Sequence, residues 1–474
     1  MRNTNWVVMK FGGTSVASVD GWRTIAKAAR AVRAEGRRAL VVCSALSGVS
    51  NLLERLLDTA ARGADITSGM AELELRHHSL AADMGVPVPD EVTRILAALR
   101  DALEGVRLLN EASPRVRARV LSGGELMSTH LGTAWLATQG IDCAWTDARG
   151  LLRAAPAPDA SARSYLSAVV NPVESPELRT SLPEHDVLVT QGFIASNDAD
   201  HTVLLGRGGS DTSASYLAVL LGAERVEIWT DVPGLFSAHP RKVENVQHLP
   251  ALGYDEVAAM ASLGVRALHP RCLEPVADVG LPLHVRSTYL PDEPGTVVDD
   301  RDTAPGIKAV TARKGLALLR MCRPSEWQPI GFVADVSTCF KDAGFSIDLM
   351  STSPSTIITT VDLTSAPGAS LDALLASLEE VCEVTVQRPV ASVSLVGTGV
   401  RDTFEAVGDA LRHLHGVPVE MVSQGAANHH LTVVVDEEQA DGLVQTLHDA
   451  LFAHPEAPSY RELPPLPVPE RPAL

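Results

Sequence analysis

Trp6-Val7-Val8-Met9-Lys10-Phe11-Gly12-Gly13-Thr14-Ser15 opens on a short apolar run and ends in a lysine followed by two glycines. The run 6–11 predicts a β-strand, and the glycines after Lys10 let backbone N–H groups approach an anion with no Cβ in the way. The stretch reads as a strand that delivers a phosphate cradle. It is not the P-loop order, in which the lysine follows the glycines. A strand followed by a glycine turn is also ordinary punctuation, so the reading needs a second motif.

Gly206-Arg207-Gly208-Gly209-Ser210-Asp211-Thr212-Ser213-Ala214 supplies it. Here a second glycine loop opens a predicted helix, whose positive end suits phosphate. A third loop, Ser44-Ala45-Leu46-Ser47-Gly48-Val49-Ser50-Asn51, adds hydroxyls and an amide. A fourth, Ser122-Gly123-Gly124-Glu125-Leu126-Met127-Ser128, places a carboxylate among small residues; taken alone, Glu125 reads as part of a solvated helix face.

Working outward, further strands are expected at 38–44, 186–191, 225–230 and 282–287, alternating with amphipathic stretches. That rhythm predicts an α/β fold with a mostly parallel sheet. Ligands in such sheets bind at the carboxyl ends of strands, where these loops fall. A helical region spans about 52–139, broken at 85–89 and at Ser113-Pro114. Residues 291–305 read as a linker, which puts a domain boundary near 300. Two smaller units follow, at 301–389 and 390–454, each predicted as strand, helix, two strands and helix; a strand at 307–311 is free to pair with either. Residues 455–474 carry seven prolines and read as an extended tail or a severed interdomain linker.

Composition narrows the function. The 474 residues carry 40 basic and 58 acidic side chains, a net charge of −18, which argues against nucleic acid as a partner. No apolar run approaches the ~18 residues of a membrane span, and the first apolar stretch runs into Lys10 and glycines instead of a cleavage site. Six scattered cysteines without a Cys-x-x-Cys pair indicate neither a disulfide framework nor a zinc site. A cytoplasmic location is expected. The neighbours His77-His78 and His429-His430 point to different faces and do not share a metal; Cys43 is expected to pack in its strand.

The motifs at 10–15, 44–51, Gly124-Glu125, Gln191-Gly192-Phe193, 206–214, Thr230-Asp231-Val232-Pro233-Gly234 and Leu268-His269-Pro270, in that order, resemble those of the aspartate kinases of the amino acid kinase family. Gly331-Phe332 and Ser346-Ile347-Asp348-Leu349 resemble that family's paired ACT units. The resemblance covers nearly the whole chain. It implies a three-layer α/β/α catalytic domain over 1–300 followed by two ferredoxin-like (βαββαβ) regulatory units.

The same resemblance implies transfer of the γ-phosphoryl of ATP to the β-carboxylate of L-aspartate, giving 4-phospho-L-aspartate, the first step toward lysine, threonine and methionine. Mg²⁺ would be carried by ATP, with no metal held by protein ligands alone. Lys10 and Asp211 would be catalytic. Lys10, Gly12, Gly13, Gly208, Gly209, Thr230, Asp231, Phe236, Arg241 and Arg266 would hold the nucleotide. Ser44, Ser50, Glu125 and Arg207 would hold the substrate. A regulatory amino acid, lysine first and threonine second, would bind near Gly331, Phe332, Val333, Ile347, Asp348 and Ser353. A homodimer or larger oligomer would form through the ACT units.

The chain departs from the family pattern at Ser50 for threonine, Phe236 for tyrosine, Arg266 for lysine, His239 for aspartate and Pro354 for glutamate. Two alternative functions remain at this stage, beside an architectural possibility that the proline-rich tail is the remnant of a linker to a second enzyme, as in fused relatives of the family. One is a kinase of another carboxylate, glutamate or an acetylated amino acid, although Glu125 with Arg207 suits a free ammonium and its carboxylate. The other is a catalytically weak amino-acid sensor, which the intact Lys10 and Asp211 disfavour.

Overall fold

Strand β1 (Trp6–Phe11) lies inside a sheet with β2 (Arg38–Cys43), β3 (Cys143–Trp145), β4 (Val187–Gln191), β5 (Arg225–Thr230), β6 (Ala251–Gly253), β7 (Leu283–Ser287) and β8 (Thr296–Asp299). The computed structural model describes residues 5–156, 162–265, 267–301, 303–323, 330–363, 370–425 and 427–452. The sheet order is β6-β8-β7-β5-β1-β2-β4-β3, and every pair is parallel except β7 with β8. The five strands expected from the sequence form its centre. The additions, β3, β6 and β8, are three or four residues long, too short to show a period.

Alternation along the central strands sends side chains into two cores. Val7, Met9, Phe11, Val41 and Cys43 join one, while Trp6, Val8, Leu40 and Val42 join the other. Helices cover both faces, giving three layers. On one face lie α1 (Val19–Ala34), α2 (Val49–Ala61), α3 (Thr67–Met84), α4 (Asp90–Leu109), α5 (Pro114–Leu121) and α6 (Gly123–Thr138). The helical region breaks at Gly85, which is left-handed, and at Ser113, which caps α5 ahead of Pro114. On the other face lie α7 (Gly209–Leu220) and α8 (Tyr254–Ser262).

A second, antiparallel sheet contains β9 (Gly306–Cys322), β10 (Leu349–Thr352), β11 (Thr356–Asp362), β12 (Glu383–Thr398), β13 (Met421–Gln424) and β14 (His430–Asp436), in the order β10-β11-β9-β12-β14-β13. Its helices are α9 (Phe332–Asp342), α10 (Leu371–Glu379), α11 (Phe404–Arg412) and α12 (Glu437–Phe452). The strand expected at 307–311 is the first part of β9 and pairs with β12 at residues that also bond β14. The later part of β9 pairs with β11. The residue 389–390 division therefore falls inside one continuous strand.

The two sheets are joined by specific bonds. Thr398 Oγ1 donates to Glu256 Oε1 of α8 at 2.9 Å, and Val310 N donates to Ser237 O at 2.7 Å. The proline-rich stretch 455–474 lies outside the described residues.

Candidate active site

Between β2 on one side and β5 on the other, β1 marks the point where strand order reverses, which is where ligands gather in open α/β sheets. Lys10 stands at the carboxyl end of β1. Its Nζ lies 2.6 Å from Oδ1 of Asp211, with each side chain 13% exposed. Asp211 sits in the first turn of α7, where a carboxylate is favoured by the helix dipole. Strand end and helix start are thereby locked together across about two hundred residues of sequence.

The glycines make that approach possible. Gly13 O accepts from Ser47 N at 3.1 Å, and a Cβ on Gly13 would lie 2.9 Å from Ala45 O. Gly208 caps α7 at φ +64°, and a Cβ there would lie 2.1 Å from Cγ of His269. His269 in turn accepts from Arg271 N, and Arg271 Nη1 donates to Leu205 O at 2.6 Å, fixing the backbone ahead of Arg207. His269 belongs to the Leu268-His269-Pro270 motif, which carried no residue role in the sequence reading.

Glu125 is not on a solvated face. It is 3% exposed in the first turn of α6, and its Oε2 has no hydrogen-bond partner among the described residues. Burial pushes its carboxyl up to about 8, opposed by backbone hydrogen bonds from its own residue and from Ala45. Its helix is anchored by neighbours: Ser128 Oγ donates to Ser44 O at 2.8 Å, and Thr129 Oγ1 donates to Glu125 O at 2.8 Å. Thr129 also accepts from Gln191 Nε2 at 3.0 Å and from Trp145 Nε1 at 3.0 Å. The buried Gln191, from a motif with no assigned role, thus ties β4 to the Glu125 helix.

A cavity of about 420 Å³ gathers these groups. It is lined by Lys10, Gly12, Gly13, Ser44, Ser50, Glu125, Arg207, Gly208, Gly209 and Asp211, so four widely spaced loops supply one site. Phe193 also lines it, held at φ +68° with its N–H donating to Ser213 Oγ at 3.1 Å.

Next along the sheet edge, β5 pairs Trp229 with Phe11, which brings Thr230 beside Gly12. Thr230 Oγ1 lies 3.3 Å from Asp231 Oδ1, and Arg241 Nη2 lies 3.1 Å from Asp231 Oδ2. Asp231, Phe236 and Arg241 line a second cavity of about 400 Å³; Thr230 does not. His239, on the same wall, has its imidazole pKa lowered chiefly by burial and then by Lys242 and Arg241. Arg266 lies outside the described residues. Among the described residues no group of three or more His, Cys, Asp or Glu side chains could hold a metal.

The residues expected to hold an effector divide. Ile347 and Asp348 line a cavity of about 740 Å³ facing α8, and Asp348 Oδ1 lies 3.2 Å from Arg313 Nη1. Burial raises the Asp348 carboxyl against the pull of Arg313, and Asp362 raises it further. Gly331, Phe332, Val333 and Ser353 do not line that cavity. Gly331 caps α9 at φ +82°, Phe332 lies under Arg323 with 4.7 Å from guanidinium carbon to ring centroid, Val333 is 46% exposed and Ser353 is exposed. His77 is buried with Nδ1 2.8 Å from Leu73 O, and Cys43 is buried in β2.

Comparison with known proteins agrees with this layout. The profile of the amino acid kinase family matches residues 5–287, and an ACT domain profile matches residues 393–451. Lysine-sensitive aspartokinase 3 of Escherichia coli is 32% identical over 94% of this chain and 99% of its own length. Chloroplastic aspartokinase 2 of Arabidopsis thaliana is 29% identical over 94% of this chain and 84% of its own. The crystal structure of E. coli aspartokinase III with aspartate and ADP (R-state) superposes with a TM-score of 0.81 at 31% identity, over 94% of this chain and 99% of that one. The same enzyme with lysine and aspartate (T-state) gives 0.77 at 30% identity, over 95% and 100%. The chain belongs to the amino acid kinase family, among its ACT-bearing aspartokinases.

Proposed function

We propose that this chain transfers the γ-phosphoryl group of ATP to the β-carboxylate of L-aspartate and that an amino acid regulates it through the ACT-bearing part. The observation that carries the reading is the convergence of Lys10, Glu125 and Arg207 on one cavity of about 420 Å³. Arg207 presents a planar fork to the substrate α-carboxylate, and Glu125 pairs with its ammonium. Ser44 and Ser50 orient the β-carboxylate. Its oxygen attacks the γ-phosphorus, the bond to the ADP oxygen breaks, and ADP leaves with the electron pair. The attacking carboxylate is already ionised, so no general base is required.

The work left to the protein is positioning and charge stabilisation. Lys10 and the backbone N–H groups of the Gly12-Gly13 and Gly208-Gly209 loops meet the charge that builds on the transferred group. Asp211 holds Lys10 in place at 2.6 Å. ATP would carry its Mg²⁺, which would supply further charge neutralisation at the phosphates beside Lys10 and Asp211. Asp231, Phe236 and Arg241 form the nucleotide wall, with Thr230 behind Asp231 and Arg266 expected nearby.

The catalytic part extends to about residue 300, and two ACT-like units follow, 301–389 and 390–454, joined through the continuous strand β12. The effector, L-lysine in the first instance and L-threonine in the second, binds at an interface between ACT units, with Ile347 and Asp348 reaching it from the cavity facing α8 and Gly331, Phe332, Val333 and Ser353 from outside that cavity. A homodimer or larger assembly in the cytoplasm fits the exposed Val333 and the antiparallel sheet. The product is an acyl phosphate that feeds synthesis of aspartate-derived amino acids. A coupled assay for ADP tests the central step: release that requires L-aspartate supports it, and aspartate-independent or absent release overturns it.

A further inference from the structure

We propose that α12, the helix closing the regulatory part, sets the shape of the nucleotide wall, with His448 as the positioning residue. The proposal rests on the reading of Phe236 and Arg241 as nucleotide-facing. Phe236 precedes, and Arg241 lies within, a loop, 237–247, between the paired segments Leu235–Phe236 and His248–Leu249. Besides Val310 of β9 and Asp231, the loop takes its partners from one stripe of α12.

Ser237, directly after Phe236, is fully buried, and His448 is 2% exposed. Ser237 Oγ lies 2.9 Å from His448 Nε2 and accepts from Gln247 N at 2.8 Å. Asp449 Oδ1 faces His448 Nδ1 at 3.8 Å and favours the imidazole proton on that nitrogen, which leaves Nε2 as the acceptor of the Ser237 hydroxyl proton while Ser237 Oγ accepts from Gln247 N. Glu244 N donates to Gln445 Oε1 at 3.1 Å, and Gln247 Nε2 donates to Phe452 O at 3.1 Å. Lys242 Nζ reaches Asp441 Oδ1 at 3.4 Å, while Lys314 Nζ of β9 reaches Asp441 Oδ2 at 2.7 Å.

Residues 441, 445, 448 and 452 recur at the helical spacing and share one face of α12. Asp441 and Val444 also line the same cavity as Phe236 and Arg241, so the regulatory helix is part of the nucleotide wall itself. The cavity holding Glu125 and Arg207 is lined by no described residue beyond Asp211. A shift of α12 therefore acts on nucleotide affinity and leaves aspartate affinity alone.

Steady-state kinetics of the full chain, varying ATP and L-aspartate separately, tests this. His448→Ala is expected to raise the ATP KM about five- to tenfold, the scale of one lost buried hydrogen bond, with kcat and the aspartate KM within about twofold. His448→Gln, whose amide oxygen accepts in place of Nε2, is expected to bring the ATP KM back to within about twofold of the parent. Gln445→Ala, expected to raise the ATP KM about two- to threefold, serves if His448→Ala does not fold. An unchanged ATP KM in the alanine variants, or parallel movement of both KM values, overturns the positioning role while leaving the nucleotide wall intact. A Phe236→Ala variant with unchanged ATP KM overturns the nucleotide-wall reading, and the proposal with it.

Discussion

Lys10 Nζ lies 2.6 Å from Asp211 Oδ1, an ion pair that joins the end of β1 to the first turn of α7. It pins a cation between two glycine loops, both of which line the same cavity. A fixed charge of this kind acts where charge develops during phosphoryl transfer and contributes less to holding the ground state.

Lys10→Ala is therefore expected to lower kcat by about a hundredfold or more, with both KM values within a few-fold of the parent. Initial-rate measurements check this. Near-normal turnover in the variant removes Lys10 from the mechanism.

Glu125 predicts an unusual pH dependence. Its carboxyl, pushed up to about 8 by burial, is mostly protonated in the free protein at neutral pH, whereas the proposed pairing with the aspartate ammonium requires the ionised form. The aspartate KM should fall as pH rises, approaching tenfold per unit between about pH 6 and 8 and levelling above that. The stability sign is opposite. A carboxyl raised in the folded state contributes fully below its ordinary value and loses that contribution as pH climbs through about 8, so the melting temperature should drop over this window. Glu125→Gln is expected to raise the aspartate KM and flatten both profiles.

Gly208→Ala adds a Cβ at φ +64° and places it 2.1 Å from His269 Cγ. About 1–3 kcal/mol of strain is expected, spent either in destabilisation or in moving Arg207. A lower melting temperature and a kcat/KM for aspartate reduced about tenfold or more are the expected readings.

Regulation has a direct calorimetric test. Titration with L-lysine is expected to give heat and to suppress turnover, with L-threonine the second ligand to try. Absence of heat with lysine, threonine and methionine removes the amino-acid sensing reading for those ligands.

The sequence made the centre of the first sheet legible because its strands are continuous apolar runs ending in glycine loops, and the loops that bear Lys10, Ser44 and Asp211 do meet. Glu125 needed the fold: one carboxylate on a helix of small residues has no signature of burial, which comes from β2 and its loop packing against α6. The long strand β9 was hidden because Gly315, which adopts φ +77° within it, interrupts the apolar pattern into two short runs. Its pairing with two different strands is a long-range property. For the same reason nothing local in the sequence linked Ser237 to His448, 211 residues apart.

Hydroxylamine trapping measures the central claim most directly, because it captures the acyl phosphate itself. With ATP, Mg²⁺ and L-aspartate the protein should form hydroxamate, with little or none from L-glutamate or N-acetylglutamate in parallel reactions. Hydroxamate from another acid in preference to aspartate, or from none of the three, contradicts the assignment.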